Sequence, residues 1–466
     1  MADRIKDLAV MDLVATNSSS KGKVPTGYAD EIIISEHTFR SGRREIESQG
    51  KAGVKRKRET KGDSSKVYGA GSYKGPWAKF RDPTPEESGS EEEVTDYSEE
   101  EGGSAAVVKP LPKMATDYSA SEVGETSEFH GENMYDYQGR TYMHVPLDLD
   151  IDLRGSTDEL KNYVPKKNIH TWKQHSGAAI TQMRFFPSSG HLLLTASASG
   201  KVKLFDMYHQ REQLRTYSGH TKSCNDISFN NDGTEFLTAS YDRYMKIWDT
   251  ETGACKGKFT TGKTPHVVRY YPLDNNQFVA GMSDKKIVQY DIRSGELVQE
   301  YDHHLGPVNT LTFCDENRRF ITTSDDKSLR AWEYNIPVPI KFIAEPYMFS
   351  MNRAASHPKK PFVAFQSSDN QIVVYASSER FRQNRKKSFR GHNNAGYAID
   401  LDISPDGEYV MSGDTGGYVC WWSWRTCKMV HKIQASESPV VSCAWHPRET
   451  SKVVTGDLNG VVKYWD

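Results

Sequence analysis

From about Ile169 onward, short apolar runs alternate with polar turns. The runs are rich in β-branched and aromatic residues, and glycine, aspartate, asparagine and serine separate them. Runs of this length and composition predict β-strands, because almost no segment carries the 3.6-residue apolar period of an amphipathic helix. The pattern therefore indicates an all-β domain in this part of the chain.

The strand-like runs repeat at a regular spacing. Each repeat ends near an aromatic residue, and neighbouring aromatic residues lie 42 to 47 residues apart. The seven positions are Phe205, Trp248, Tyr290, Trp332, Tyr375, Trp422 and Trp465. A period near 40–45 residues with four strands in each repeat is typical of a WD-repeat β-propeller. We therefore predict a seven-bladed propeller over residues 166–466.

A propeller needs a complete last blade, since an open blade exposes an unpaired strand edge. The seventh repeat supplies three strands before Asp466, so its fourth strand must come from elsewhere in the chain. The segment Asn168–Lys173 has a suitable pattern and precedes the first repeat. We expect this N-terminal strand to pair beside Val461–Trp465 and to close the propeller.

Two repeats contain histidine, aspartate and tryptophan at matching positions. In both, the histidine precedes the aspartate by 22 residues. The residues are His220, Asp242 and Trp248 in the second repeat and His304, Asp326 and Trp332 in the fourth. Such groups can hydrogen-bond in series within a blade and satisfy one another there. We interpret them as a structural hydrogen-bond network and not as a catalytic dyad.

Residues 1–165 lack these periods and change composition in blocks. Residues 40–61 contain nine basic and three acidic residues, and residues 82–101 contain ten acidic residues and no basic one. Segments of such charge density cannot bury enough apolar surface to offset their chain entropy. We expect a long, mostly disordered N-terminal arm that precedes the propeller.

Three short segments of this arm suggest contacts with other molecules. Two aromatic islands favour partner docking over mere local collapse, through Gly75, Pro76, Trp77, Tyr135, Tyr137 and Arg140. The basic run Lys55, Arg56, Lys57 and Arg58 is interpreted as a nuclear import signal, the alternative being a solvated charge run. The bond between Gly75 and Pro76 is a hypothetical substrate for a nuclear prolyl isomerase, because X-Pro bonds in disordered segments exchange slowly between cis and trans.

The overall composition excludes several classes of protein. Lys plus Arg is 60 and Asp plus Glu is 62, so no net charge draws the whole chain to nucleic acid or to a membrane. The N-terminus is charged and the sequence contains no long apolar run, so we expect neither a secretory signal nor a membrane span. The six cysteines are scattered with no Cys-x-x-Cys pair, which favours a reduced, intracellular protein with no metal site and no cofactor.

A basic cluster lies between the fifth and sixth repeats. Residues 380–390 contain six cations and no anion, namely Arg380, Arg382, Arg385, Lys386, Lys387 and Arg390. These cations can neutralise phosphates while Phe381 or Phe389 stacks on bases, so the cluster is a candidate RNA or phosphate contact. The alternative is a solvated outer strand whose charges protect an edge.

Residues Gly257–Thr264 match the phosphate-loop pattern G-x-x-x-x-G-K-[ST]. That loop binds phosphate when it follows a strand and opens a helix. Here the strand-like run Val267–Pro272 follows instead, so we expect no nucleotide hydrolysis. Enzymatic activity is not expected, because no other pattern in the sequence indicates a nucleophile or a metal-dependent catalyst.

Two parts of the sequence resemble a known family. In the propeller these are the runs 278–289, 291–296, 315–320 and 323–330, and in the arm the segments 75–79 and 134–140. The chain is similar along the entire propeller to the pre-mRNA-processing factor 17 family of WD-repeat splicing factors. The two arm segments make this resemblance specific, because WD repeats in general would not carry them.

The resemblance implies a nuclear, non-enzymatic scaffold of the spliceosome that supports the catalytic conformation for the second step, exon ligation. The implied partners are the large spliceosomal scaffold protein, the second-step factors, the U2/U6/U5 small nuclear RNA core and pre-mRNA. No membrane contact is implied, and the chain is expected as a monomer within a large complex. The alternative is a WD-repeat substrate adaptor of a cullin-type ubiquitin ligase, for which Tyr290–Arg293 is a near match to a W-D-x-R box.

Overall fold

The fold is described from a computed structural model. The structure describes residues 124–466 with the exception of 133, 136–137, 148, 150–151, 156–159 and 379. Within these ranges the chain forms β-strands and turns, with no α-helix. The predicted all-β class is confirmed. The expectations for residues 1–123, which include Lys55–Arg58 and Gly75–Trp77, lie outside the described residues.

The strands form seven sheets, as the repeat spacing predicts. Two strands precede the repeats, namely β1 (Thr126–Phe129) and β2 (Asn168–Trp172). The first blade contains β3 (Ile180–Phe185), β4 (Leu192–Ser197), β5 (Lys201–Asp206) and β6 (Gln213–Ser218). The second contains β7 (Cys224–Phe229), β8 (Glu235–Ser240), β9 (Met245–Asp249) and β10 (Cys255–Phe259). The third contains β11 (Pro265–Tyr271), β12 (Asp274–Met282), β13 (Ile287–Asp291) and β14 (Leu297–Tyr301).

The remaining blades have the same antiparallel order. The fourth contains β15 (Val308–Cys314), β16 (Arg319–Ser324), β17 (Leu329–Glu333) and β18 (Pro339–Ile343). The fifth contains β19 (Met351–Ser356), β20 (Phe362–Ser367), β21 (Gln371–Ala376) and β22 (Gln383–Arg390). The sixth contains β23 (Leu401–Ile403), β24 (Tyr409–Gly413), β25 (Tyr418–Ser423) and β26 (Met429–Gln434). The seventh contains β27 (Val440–Trp445), β28 (Val453–Asp457), β29 (Val462–Trp465) and the N-terminal strand β2.

The blades close into a ring. The innermost strand of each blade contacts the innermost strand of the next, and β27 of the seventh blade contacts β3 of the first. In the seventh blade, β2 pairs antiparallel with β29, with Asn168 opposite Trp465 and Trp172 opposite Val462. This is the pairing that the sequence pattern predicts. The last sheet therefore joins strands from two distant parts of the chain.

The core lies between adjacent blades. Strands such as β4 are buried on both faces because each sheet packs against two neighbours. The aromatic residues that mark the repeats are all buried, at 0 to 7% exposure: Phe205, Trp248, Tyr290, Trp332, Tyr375, Trp422 and Trp465. The aromatic period in the sequence thus marks the equivalent core position of every blade.

One strand of the expected arm belongs to the propeller. The arm was predicted over residues 1–165, but β1 lies within that range and pairs antiparallel with β6 as the fifth strand of the first blade's sheet. The ordered part therefore begins earlier than residue 166. The sequence Thr-Ser-Glu-Phe of β1 is too short and too polar to be recognised as a strand before its partner is known.

Candidate functional site

The second blade contains a chain of buried hydrogen bonds. Nδ1 of His220 lies 2.7 Å from the carboxylate of Asp242, and its Nε2 lies 2.7 Å from the hydroxyl of Thr238. The indole Nε1–H of Trp248 donates to the same hydroxyl at 3.2 Å. A carboxylate can only accept, so in the neutral ring Nδ1 carries the proton and Nε2 accepts from Thr238.

The fourth blade repeats this arrangement. His304 contacts Asp326 at 3.1 Å and Thr322 at 2.9 Å, and Trp332 donates to Thr322 at 2.8 Å. Burial lowers the pKa of His304, which keeps the ring neutral. Burial alone would raise the pKa of Asp326, but the hydrogen bonds from His304 and Ser328 outweigh it and lower the pKa.

The connecting threonines were not identified from the sequence, although they lie ten residues before each tryptophan. Both networks satisfy their polar groups inside a blade, and every member is fixed by another member. The six residues proposed from the sequence are therefore brought together in two separate groups of three. Their geometry is that of a structural support, and a substrate has no access to His220 or His304, which are 7% and 2% exposed.

Side-chain hydrogen bonds attach the described part of the arm to the first two blades. Arg215 of β6 is 5% exposed and donates to the hydroxyls of Ser127 and Tyr142 at 3.1 Å each. It also donates to the carbonyls of Glu251 and Thr252 in the β9–β10 turn, at 2.9 and 3.1 Å. One guanidinium group thus ties together the arm, the first blade and the second blade.

A buried lysine adds a second attachment. Lys246 in β9 is 2% exposed, and its ammonium group donates to Glu125 and to the carbonyl of Gly219, both at 2.6 Å. The hydrogen bond and charge of Lys246 lower the pKa of Glu125. A buried ammonium group without a counter-charge is costly, so Glu125 holds the arm in this position.

The second aromatic island of the arm lies against the first blade. Tyr135 is 60% exposed and forms an isolated antiparallel bridge with Thr141, and Arg140 is half-buried. Both residues line a cavity of about 630 Å³, together with His191 and Leu214 of the first blade. The other predicted docking residues, namely Tyr137, Gly75, Pro76 and Trp77, lie outside the described residues. The structure therefore places only Tyr135 and Arg140 of this group.

The basic cluster forms the outer strand β22 and the turn before it. Its exposed members are Arg380, Arg382, Arg385, Lys386 and Arg390. Arg390 donates to the side-chain oxygen of Gln371 at 2.9 and 3.1 Å. Lys387 is half-buried, donates to the carbonyls of Trp424 and Arg425, and lies over the ring of Trp424. Most of these cations therefore face solvent, as both interpretations of the cluster require.

The prediction that Phe381 or Phe389 stacks on bases is wrong. Phe381 and Phe389 are both 0% exposed, so neither can stack on a base. Phe381 packs into the core between the fourth and fifth blades, and Phe389 into the core between the fifth and sixth. On β22, the alternation of a strand turns Phe389 toward the core and the adjacent Arg390 toward solvent. Exposed rings near the cluster come instead from residues 342–349, which the sequence analysis did not single out.

The centre of the ring contains an ion network drawn from several blades. Arg184 of β3 lies 3.5 Å from Asp400, which directly precedes β23, and 4.0 Å from Asp226 of β7. Asp226 also accepts from Arg269 of β11. Cavities of about 410 and 500 Å³ lie at the two ends of the inner strands. These charges pair with one another. The pairing could not be predicted from the sequence, because each residue comes from a different repeat.

The segment with the phosphate-loop pattern is extended. Gly257 lies in β10 and Thr264 directly precedes β11, so a strand follows the loop where a phosphate site requires a helix. The near match to a ligase box lies at the end of β13, where the carboxylate of Asp291 accepts from the backbone amide of Arg293 at 2.8 Å. Both patterns thus form turns and strands of the repeat.

In the part of the chain that the structure describes, no group of three or more histidine, cysteine, aspartate or glutamate side chains has the geometry to hold a metal ion. No helix there is long and apolar enough to span a membrane.

The sequence matches the family model described as WD domain, G-beta repeat, over residues 166–206, 211–249, 295–333, 383–423 and 427–466. Most of the third blade and most of the fifth have no match, since of their strands only β14 and β22 lie within these ranges. Their aromatic positions hold Tyr290 and Tyr375 in place of tryptophan, so these repeats depart from the sequence pattern although they keep the blade structure.

Comparison with curated proteins gives closer relatives. The chain is 47% identical to Pre-mRNA-processing factor 17 of mouse and of human, over 90% of this chain and 71% of each relative. It is 36% identical to Pre-mRNA-processing factor 17 of Saccharomyces cerevisiae, over 89% of both chains.

Proposed function

Because the chain belongs to the pre-mRNA-processing factor 17 family, we propose that it acts as a non-enzymatic scaffold of the spliceosome. Membership in the family supports a role as a splicing factor. The finer proposal is that the chain supports the catalytic conformation for the second step, exon ligation. In this role the RNA and its metal ions supply the chemistry, and the protein holds an arrangement of partners.

The extent of the sequence match carries this proposal. The propeller from residue 166 makes up about two thirds of the chain, whereas the match to the mouse and human proteins covers 90% of it. A large part of the N-terminal segment therefore also matches. A WD-repeat protein from Arabidopsis thaliana, by contrast, is 22% identical over 60% of the chain. The similarity is thus specific to one family and not to WD repeats in general.

The fold suits a platform for several partners. Its polar networks and ion pairs are closed within the ring, which favours a rigid body over a mobile active site. The seven outer strands and the two ends of the ring offer many separate surfaces on this body. An arm that becomes ordered as it binds would add contact area at a cost in entropy. We propose that Gly75–Trp77 and the segment around Tyr135, Tyr137 and Arg140 supply such contacts.

The proposed partners follow from the family. They are the large spliceosomal scaffold protein, the second-step factors and the U2/U6/U5 RNA core with pre-mRNA. Nuclear localisation is part of the proposal, with Lys55–Arg58 as the import signal. A prolyl isomerase acting at Pro76 remains a proposal of its own.

Splicing extract depleted of the endogenous family member tests this function. We expect the depleted extract to accumulate the free 5′ exon and the lariat intermediate, and the added full chain to restore ligated exons. A chain with Trp172→Ala, whose propeller is destabilised, tests whether the restoration requires an intact propeller. Restoration of the first step, or no effect on either step, would contradict the proposed role in exon ligation.

A further inference from the structure

Three exposed aromatic rings lie within residues 342–349, in the outer strand β18 of the fourth blade and in the loop that leads from it to β19. Phe342 in β18 is 53% exposed, and Tyr347 and Phe349 in the following loop are 53% and 44% exposed. Met348 between the last two is buried at 6% and packs into the core with Phe381. The buried methionine anchors the loop, so the rings on either side of it stay at the surface. We call these three residues the ring surface.

Each ring already has a cation of the chain beside it. Arg330 lies 4.4 Å from the ring centre of Phe342, Arg385 lies 5.4 Å from that of Tyr347, and Lys327 lies 5.7 Å from that of Phe349. Because every ring is also about half exposed, each keeps an area open to a further molecule. A planar group that stacks on one of these rings would therefore also lie beside a cation of the chain.

The ring surface adjoins the basic strand of the fifth blade. Arg385 of β22 donates to the hydroxyl of Tyr347 and lies 3.4 Å from the carboxylate of Glu345. Glu345 is the one anion in residues 341–349, and residues 380–390 contain none against six cations. Among the described residues, no ion pair involves Arg382 or Lys386, and both are exposed. The combined surface is therefore strongly basic and aromatic.

We propose that the ring surface and the cations of β22 together form a binding site for single-stranded RNA. The bases stack on Phe342, Tyr347 and Phe349, and the phosphates lie along Arg382, Arg385 and Lys386. Stacking of this kind requires unpaired bases, which excludes a duplex as the preferred ligand. The inference rests on the proposed function, which already includes RNA among the partners, and deepens it by assigning a direct RNA contact to named residues of the fourth and fifth blades.

A protein partner explains less of this surface. An apolar peptide would cover the rings and leave the cations of β22 without a counter-charge. An acidic peptide would neutralise the cations and make little use of three exposed rings. Single-stranded RNA presents both flat bases and regularly spaced phosphates, so it accounts for both features.

Fluorescence anisotropy with the full chain and a labelled oligouridylate of about 20 nucleotides tests the site. Tyr347→Ala and Phe349→Ala together should weaken binding at least about 25-fold, since each stacked base contributes roughly five-fold or more. The control is Tyr163→Ala, because Tyr163 is also 53% exposed and has Lys161 5.8 Å from its ring centre. Tyr347→Phe should retain most of the affinity, which separates the ring from its hydroxyl group.

The cations are tested by the salt dependence. Arg382→Ser with Lys386→Ser should reduce the log–log slope of affinity against salt by about 1.4, at about 0.7 for each lost phosphate contact. Arg425→Ser with Lys428→Ser is the matched control on exposed cations of the sixth blade. The basic residues of the N-terminal segment are unchanged in every variant, so any RNA binding that they add is the same in all measurements.

Equal affinity of the unaltered chain and the ring variant would overturn the proposal. So would equal binding of a duplex of the same length, which would indicate a purely electrostatic surface. Displacement of the RNA by polyglutamate with no effect of the ring variant would assign the surface to an acidic protein partner. These measurements use purified chain and RNA alone, so their failure leaves the result of the splicing assay untouched.

Discussion

The carboxylate of Glu125 accepts a hydrogen bond at 2.6 Å from the buried ammonium group of Lys246. Glu125 directly precedes β1, whereas Lys246 lies in the second blade. A charge inside the propeller is therefore neutralised by a residue outside its repeats. Because of this pair, the segment around β1 contributes to the interior of the folded domain in addition to its strand pairing with β6.

Glu125→Gln should lower the free energy of unfolding by about 1–3 kcal/mol, because it leaves Lys246 buried without its counter-charge. This is less than the loss for a fully buried pair, since the side chain of Glu125 is 31% exposed. Glu128→Gln is the matched control, because the side chain of Glu128 on the same strand is 77% exposed. Urea unfolding of both variants provides the measurement. Equal stability of the two variants would show that the pair does not hold the arm.

Trp172→Ala should destabilise the entire propeller by about 3–5 kcal/mol, as for other large aromatic truncations. Trp172 is 1% exposed, its ring lies near Phe205 and Tyr464, and its Nε1–H donates to the carbonyl of Arg211. Loss of these contacts frees β2 and opens the edge of β29. Leu305→Ala, at a 74% exposed position, should change stability by less than about 0.5 kcal/mol. Thermal melting compares the two, and a similar small loss for both would argue against closure through β2.

Thr238→Val should cost about 2 kcal/mol, because it removes the hydroxyl that bonds both His220 and Trp248. The replacement keeps the shape of the side chain, so the loss reports the hydrogen bonds. Thr221→Val is the control, since Thr221 is exposed in the adjoining turn. Chemical denaturation measures both. If the double variant Thr238→Val with Asp242→Asn loses the simple sum of the two single losses, the four groups do not act as one network.

Acidification should destabilise the fold through its buried histidines. Burial lowers the pKa of His175 and His446 to about 3 and that of His191, His357 and His392 to about 4. An unfolded histidine has a pKa near 6.5, so below that pH the unfolded chain binds protons that the folded chain excludes. Stability is therefore fully present above this value and falls as the pH decreases toward about 4.

One buried carboxyl group has the opposite effect. Burial raises the pKa of Asp402 to about 6, so below this pH the folded chain binds a proton that the unfolded chain does not. One such group offsets little of the effect of five histidines. We expect the free energy of unfolding to fall by about 3–6 kcal/mol between about pH 7.5 and pH 5.5. His446→Asn should weaken this dependence, as followed by urea titrations at both pH values.

The seven blades follow from the sequence because every repeat places one buried aromatic residue at the same position. Trp248 and Trp332 mark both the spacing and the hydrogen-bond networks that end on them. The pairing of Asn168 with Trp465 also follows, because a closed ring leaves one place for a strand of that pattern. These features depend on a repeated local pattern, which a single sequence contains.

The contacts that the sequence did not predict depend on distant parts of the chain. Glu125 gave no signal, because its partner Lys246 becomes buried only when the blades assemble. The exposed Phe342 lies in an apolar run that resembles any core strand. For Phe389 the prediction failed in the opposite direction. Its basic surroundings in the sequence suggested an exposed ring, but the strand turns the ring toward the core.

The small nuclear RNAs that purify with the tagged full chain test the proposed role most directly. Sequencing of the bound RNA should show U2, U5 and U6 enriched together above a tagged WD-repeat protein of unrelated function. Recovery of no small nuclear RNA above this control, with a cullin-type ligase adaptor bound in its place and lost on Arg293→Ala, would contradict the assignment to the spliceosome.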